Sequence, residues 1–260
     1  MISSAVSRAR LPRPAVLFAI AAAWAVALVA EATGRAEQLH HDWLLEGGLS
    51  PWAALGVFVV AWQVMLAAMM LPSSLPMISL FDRTSASQPR PGRARLAFLG
   101  GYAVVWTGFG ALAFVGDAVL HATVHRFAWL ASHPEIIGGT VLVGAGLFQF
   151  SALKEACLEQ CRHPAAFLLR HYARGPRAGF RLGSRHGAFC IGCCWALMLV
   201  MFAVGASNLV WMGALTLVMV YEKTAPRAER GVWMIGVGFV TLGVLVLLGP
   251  GWLPEVLQPR

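Results

Sequence analysis

Charge is what this sequence has least of. Asp, Glu, Lys and Arg make up 12% of its 260 residues, and only 12 of those side chains are acidic. Charged residues normally supply about a quarter of a soluble chain, so a fully hydrated surface of ordinary size cannot be built from this stock. Acidic residues are also missing from the middle of the apolar runs. Asp117 and Glu222 fall near predicted ends, which excludes an obvious intramembrane carboxylate relay for protons. The chain has no phosphate-binding Gly-Lys-Ser/Thr loop, no His-Glu-x-x-His zinc-protease motif and no Gly-x-Ser-x-Gly elbow, so no catalytic centre can be named. Neither an internal repeat nor a stretch long enough for a second soluble domain is present, and residues 1–260 read as a single integral membrane domain.

What is abundant is apolar surface: 58% hydrophobic residues and a mean hydropathy of +0.67. This composition predicts an all-α, polytopic transmembrane helical bundle of about seven helices. The segments are 14–32, 53–81, 96–116, 136–153, 187–206, 208–221 and 231–249. The sixth is short, and Gly205-Ala206-Ser207-Asn208 before it predicts a tight helical hairpin. Residues 1–32 read as an anchor or as a cleaved signal, which would leave six helices, because Arg8, Arg10 and Arg13 precede the run and Ala30 and Ala32 follow it. The run is longer than a signal core, which favours an anchor.

Orientation follows from the basic residues. An N-terminus in the cytoplasm puts 17 of the 20 Lys and Arg on the inner side of a bacterial inner membrane and leaves only Arg35, Arg126 and Arg260 outside, with the C-terminus external. The connection 154–186 is then a cytoplasmic loop rich in Arg, with a helical portion through Cys161. The net charge of +8 reports topology and attraction to anionic membrane lipid. No nucleic-acid partner is expected, because the arginines lack interleaved stacking aromatics.

Sulfur is concentrated in two runs. Cys190, Cys193, Cys194, Met198 and Met201 fall within about 140° of one helix face at 100° per residue. Thiolates and thioethers are the donors that select Cu(I) over harder cations. Compact packing hydrophobes would be the bland alternative. The second run holds Met65, Met69, Met70 and Met77 around Pro72 and Pro76. Those prolines free backbone carbonyls, for which Ser73 and Ser74 are local partners. The two helices run in opposite directions, so Met77 is expected near the level of Cys190–Cys194 and Met65 near Met198–Met201.

Cys157 and Cys161 share one side of a helical turn near His163. All five cysteines fall on the predicted reducing side, which favours metal or catalytic chemistry over disulfides. Four thiolates can alternatively hold a structural zinc in a nonenzymatic membrane subunit. A further alternative is a membrane thiol-disulfide oxidoreductase using Cys190-x-x-Cys193 at a helix N-terminus, where the dipole favours thiolate. Outside, His40-His41-Asp42 and His121, His125 and His133 suit Cu(II) or zinc but read more simply as interfacial residues. His163, His171 and His186 lie among arginines and read as solvated. Glu222-Lys223 reads as an exposed helix-terminal ion pair.

The chain resembles a family of bacterial integral membrane proteins predicted to bind metal and sometimes labelled copper chaperones. The resemblance rests on Met69-Met70-x-Pro72 with Pro76, on Cys157-x-x-x-Cys161, on Cys190-Ile191-Gly192-Cys193-Cys194-Trp195-x-x-Met198, and on Trp211-Met212 and Glu222-Lys223 in that order. It implies metal binding. Residues and resemblance together lead to a membrane protein handling Cu(I), in transport or in delivery to a cuproenzyme or metallochaperone partner.

Overall fold

The computed structural model describes residues 14–35, 50–203, 208–226 and 228–249. Among the described residues there are ten helices and no strand: α1 (Pro14–Ala32), α2 (Pro51–Ser85), α3 (Pro91–Arg126), α4 (Ala128–Ala131), α5 (Pro134–Phe148), α6 (Ala152–Arg162), α7 (Pro164–His171), α8 (Pro176–Ala203), α9 (Leu209–Thr224) and α10 (Glu229–Leu247). Six of them begin on proline, whose fixed φ suits a first turn and whose missing N–H is not needed there. Ser50 caps α2, Ser151 caps α6 and Asn208 caps α9, each accepting from backbone N–H groups of the first turn.

The described parts of the seven apolar segments are helical apart from a break at 149–151 within the fourth, the first residue of the sixth and the last two residues of the seventh, and the architecture is a helical membrane bundle. Five helices are long and apolar enough to cross a membrane: Pro14–Ala32, Trp52–Ser85, Pro91–Val124, Pro176–Met201 and Glu229–Leu247. Helices α5 and α6 meet the same criterion only as a pair, bent by 65°. α9 has 16 residues and reaches about 24 Å at 1.5 Å per residue, short of a typical hydrocarbon core. Large apolar side chains such as Phe18, Leu112 and Leu217 point outward, as a lipid-facing surface requires.

The connection 154–186 differs from its expected loop form. It folds into α6, α7 and the first turns of α8, which starts eleven residues before the apolar segment drawn at 187. The cause is a second periodicity that hydropathy does not register. Arg177, Arg181 and Arg185 line an exposed stripe, while Gly179, Gly183 and Gly187 line a buried one at the same four-residue spacing. A Cβ on Gly183 would collide with the carbonyl oxygen of Phe98, and one on Gly179 would stand 2.6 Å from that of Ala94. α3 and α8 thus approach backbone to backbone, in the small-residue mode of helix pairs in lipid. α5 and α10 interlock similarly through Gly139, Gly146, Gly236 and Gly243.

The helices stand in a series, α10 on α5, α5 on α8, α8 on α3 and α3 on α2, with α1 and α9 on α2 and α6 lying along α8. Helix α2 continues through Pro72 and Pro76. Pro72 has no N–H for the carbonyl of Ala68, and Trp24 Nε1 of α1 donates to that oxygen at 3.0 Å. Ser73 Oγ donates to the Met70 carbonyl at 2.9 Å. Ser74 turns instead to Tyr102. The hairpin residues Gly205, Ala206 and Ser207 lie outside the described residues.

Candidate metal centre

Cys190 is the fifteenth residue of α8, in mid-helix. The oxidoreductase alternative required Cys190-x-x-Cys193 at the N-terminus of its own helix, and that premise does not hold, because both cysteines stand in the middle of α8. All five cysteines are free and buried. The thiols of Cys193 and Cys194 donate to the Cys190 carbonyl at 3.1 and 2.8 Å. Cys190 Sγ meets Tyr102 OH at 3.1 Å and the ammonium of Lys223 at 3.1 Å, and lies within hydrogen-bonding reach of the Cys193 and Cys194 thiols. That ammonium also donates to Ser73 Oγ at 3.0 Å, and Ser74 Oγ reaches Tyr102 OH at 3.2 Å. Residues from α2, α3, α8 and α9 therefore converge on one sulfur atom.

Beside this thiol lies a buried ion pair. Lys154 Nζ of α6 donates to Glu222 Oε2 of α9 at 2.7 Å and to the Cys193 carbonyl at 3.0 Å. Arg162 Nε donates to the backbone oxygen of Glu222 at 2.7 Å. Reading Glu222-Lys223 as an exposed pair is corrected on both counts: the two residues are buried, and each has a different partner. Both charges end inside the bundle, where burial demands partners: Glu222 has the ammonium of Lys154, and Lys223 has Cys190 Sγ and Ser73 Oγ.

The sulfur residues divide unevenly. Met65, Met69, Met70, Met198, Met201, Cys157, Cys161, Cys190, Cys193 and Cys194 belong to one contiguous core. The closest approach across it is Cys194 Sγ to Met70 Sδ at 3.9 Å, so α2 and α8 meet through side chains. Cys161 lies within hydrogen-bonding reach of Cys193. The Cys157 thiol fills the space over Gly192, where any Cβ would strike it. Met77 does not stand level with the thiols. It packs with Ile78, Phe81, Phe98 and Leu182 in a second core, and Met70 occupies the position expected of it. Among the described residues no three His, Cys, Asp or Glu side chains are set at metal-ligating geometry, for copper or for a four-thiolate zinc. Coordination requires the thiols of Cys193 and Cys194 to give up their hydrogen bonds to the Cys190 carbonyl, and each coordinating thiol to lose its proton.

Lys154 and Tyr102 were not singled out in the sequence, and Lys223 and His186 were read there as exposed. Lys154 and Lys223 sit at segment ends, where snorkelling is the ordinary expectation. His186 is buried, 2% exposed, against its solvated reading. His163 is exposed beside Glu159, as expected. At the other end of the bundle, His133 is half-buried and hydrogen-bonds the Trp129 carbonyl and Ser132. His40, His41, Asp42 and the side chain of His125 lie outside the described residues.

No curated protein and no solved structure matches this chain. Residues 59–246, which run from α2 to α10 and contain every side chain of the buried network, match a family described as copper chaperone, PpoB2. The chain belongs to that copper chaperone family.

Proposed function

We propose that the protein accepts Cu(I) on Cys190, Cys193 and Cys194 within a bacterial inner membrane and passes it on, in transport or in delivery to a cuproenzyme or metallochaperone partner. The observation that carries this reading is the single positive charge of Lys223 held 3.1 Å from a buried cysteine sulfur. Entry of one Cu(I) with release of one thiol proton leaves the net charge of this buried network unchanged, and the ammonium of Lys223 beside the sulfur can offset the negative charge of a second thiolate. Copper is the cargo in this scheme. The neutral thioethers of Met70, Met198 and Met201, with Met65 and Met69 beyond, are weaker donors into which the ion can be released. Cys157 and Cys161 border the cluster from α6. The distribution of basic residues supports an N-terminus inside and a C-terminus outside.

The test is Cu(I) competition against a chromophoric chelator, with the purified full chain in detergent under reducing conditions. Changing a residue that only hydrogen-bonds to a metal ligand typically costs about 10–100-fold in affinity, so loss of the donors themselves in a Cys190→Ser, Cys193→Ser, Cys194→Ser triple variant should cost at least about 100-fold. A monodisperse triple variant that keeps wild-type affinity and copper-dependent activity in cells would return the cysteines to a packing role.

A further inference from the structure

We propose that His186 and Cys190 form a second Cu(I) station, an imidazole–thiolate pair one helical turn from the three-thiol cluster on the arginine-bearing side of α8. The inference rests on the copper reading of Cys190, Cys193 and Cys194 and extends the path by one step.

The starting observation is a buried imidazole with nothing to bind. Neither Nδ1 nor Nε2 of His186 has a hydrogen-bond partner, although the residue is 2% exposed. Buried polar groups are almost always paired, and an exception calls for an explanation. His186 is enclosed by aromatic rings: Tyr102 and Phe98 stack on it at centroid distances of 5.5 and 6.1 Å, and Phe167 meets it edge-on at 5.9 Å. A phenylalanine would fill such a box without an unmet polar atom, so packing gives no reason for a histidine.

Position supplies the reason. Residues four apart on a helix share a face, and the fourth residue beyond His186 is Cys190. Tyr102 spans the same interval from α3, with its ring on His186 and its hydroxyl 3.1 Å from Cys190 Sγ. Imidazole and thiolate are both good donors to copper, and Cu(I) is content with two ligands in a dry, apolar enclosure. The ring in its neutral form offers one free nitrogen lone pair. When Cys190 coordinates, its thiol proton leaves and copper stays monovalent, so no oxidant or reductant is needed. Cys190 is then common to two stations, and an ion can move between them by exchanging one partner at a time.

The experiment isolates the pair from the cluster. In a Cys193→Ser, Cys194→Ser double variant of the full chain, Cu(I) should remain bound with one sulfur and one imidazole nitrogen, read by X-ray absorption at the copper edge. Adding His186→Phe should remove the imidazole scattering and weaken Cu(I) binding at least about tenfold, the lower end of typical metal-site effects. Copper bound by the double variant without imidazole scattering overturns the second station and leaves the copper reading standing. Failure of the wild-type protein to take up Cu(I) overturns both. The spectrum of the protein that retains His186 decides the matter even if the Phe variant does not fold.

Discussion

Replacing Lys154 by Met is expected to destabilise the bundle by about 3–5 kcal/mol, the usual cost of stranding one member of a buried ion pair. The structure sets that magnitude. The Lys154 Nζ to Glu222 Oε2 distance is 2.7 Å, and both side chains are 1% exposed, so water can replace neither partner. Glu222 Oε1 already has no partner, and the one neighbouring ammonium, Lys223, is committed to Cys190 and Ser73. Lys154 also holds the Cys193 carbonyl, so α6 loses two ties at once. Glu222→Met alone should cost a similar amount, because it strands the lysine. Changing both residues to Met should restore most of the loss, since apolar residues of similar volume replace buried pairs at little cost. The assay is unfolding in mixed micelles with increasing dodecyl sulfate, followed by tryptophan fluorescence, on wild type, both single variants and the double variant. Single losses below about 1 kcal/mol, the range of exposed pairs, would refute the buried-pair reasoning. So would a double variant that loses the sum of the two.

Two further outcomes are expected. Accessibility reporters within 82–95, 154–186 or 222–230 should register as cytoplasmic and those within 33–51 or 117–135 as external; labelling of a single introduced cysteine in 154–186 from outside intact cells, in a cysteine-free background, would invert the arrangement. Gly183→Ala should lower stability by about 1–3 kcal/mol because the new methyl meets the Phe98 carbonyl, whereas Gly100→Ala, with open space around it, should be neutral; equal melting temperatures for the two variants would show that α3 and α8 are not in backbone contact.

The bundle was legible because length and hydropathy decide it: the apolar runs fold as helices, the fourth of them broken by a 65° bend at 149–151. The arginine-rich segment was not, since the buried face of that helix is mostly glycine with a single leucine, Leu182, and presents no apolar stripe to find. The thiol face on α8 could be read from spacing alone, because 190, 193, 194, 198 and 201 share one side of any helix. Spacing cannot tell which residue of another helix lies opposite, and the level of Met77 was misjudged for that reason. One turn separates it from Ser73 and Ser74, which reach the Cys190 network, and that turn moves it into the other core. Lys223 and Tyr102 were invisible for a related reason: their roles come from tertiary neighbours, and nothing in their own segments distinguishes a buried cation from one at the interface. His186 was disguised by its sequence neighbours, because Arg185 before it points outward while it points in.

The glycine contacts have a mechanical consequence. α3 and α8, like α5 and α10, touch along their backbones, where there are no side-chain rotamers to adjust, so each pair behaves as a stiff beam. α2 and α9 bring Met70, Ser73 and Lys223 to the thiols on longer levers of thioether, hydroxyl and ammonium. Any change of shape that accompanies loading will fall on this compliant side: the cysteine-bearing helix is the fixed jaw, and the helices that carry methionine and lysine are the moving one.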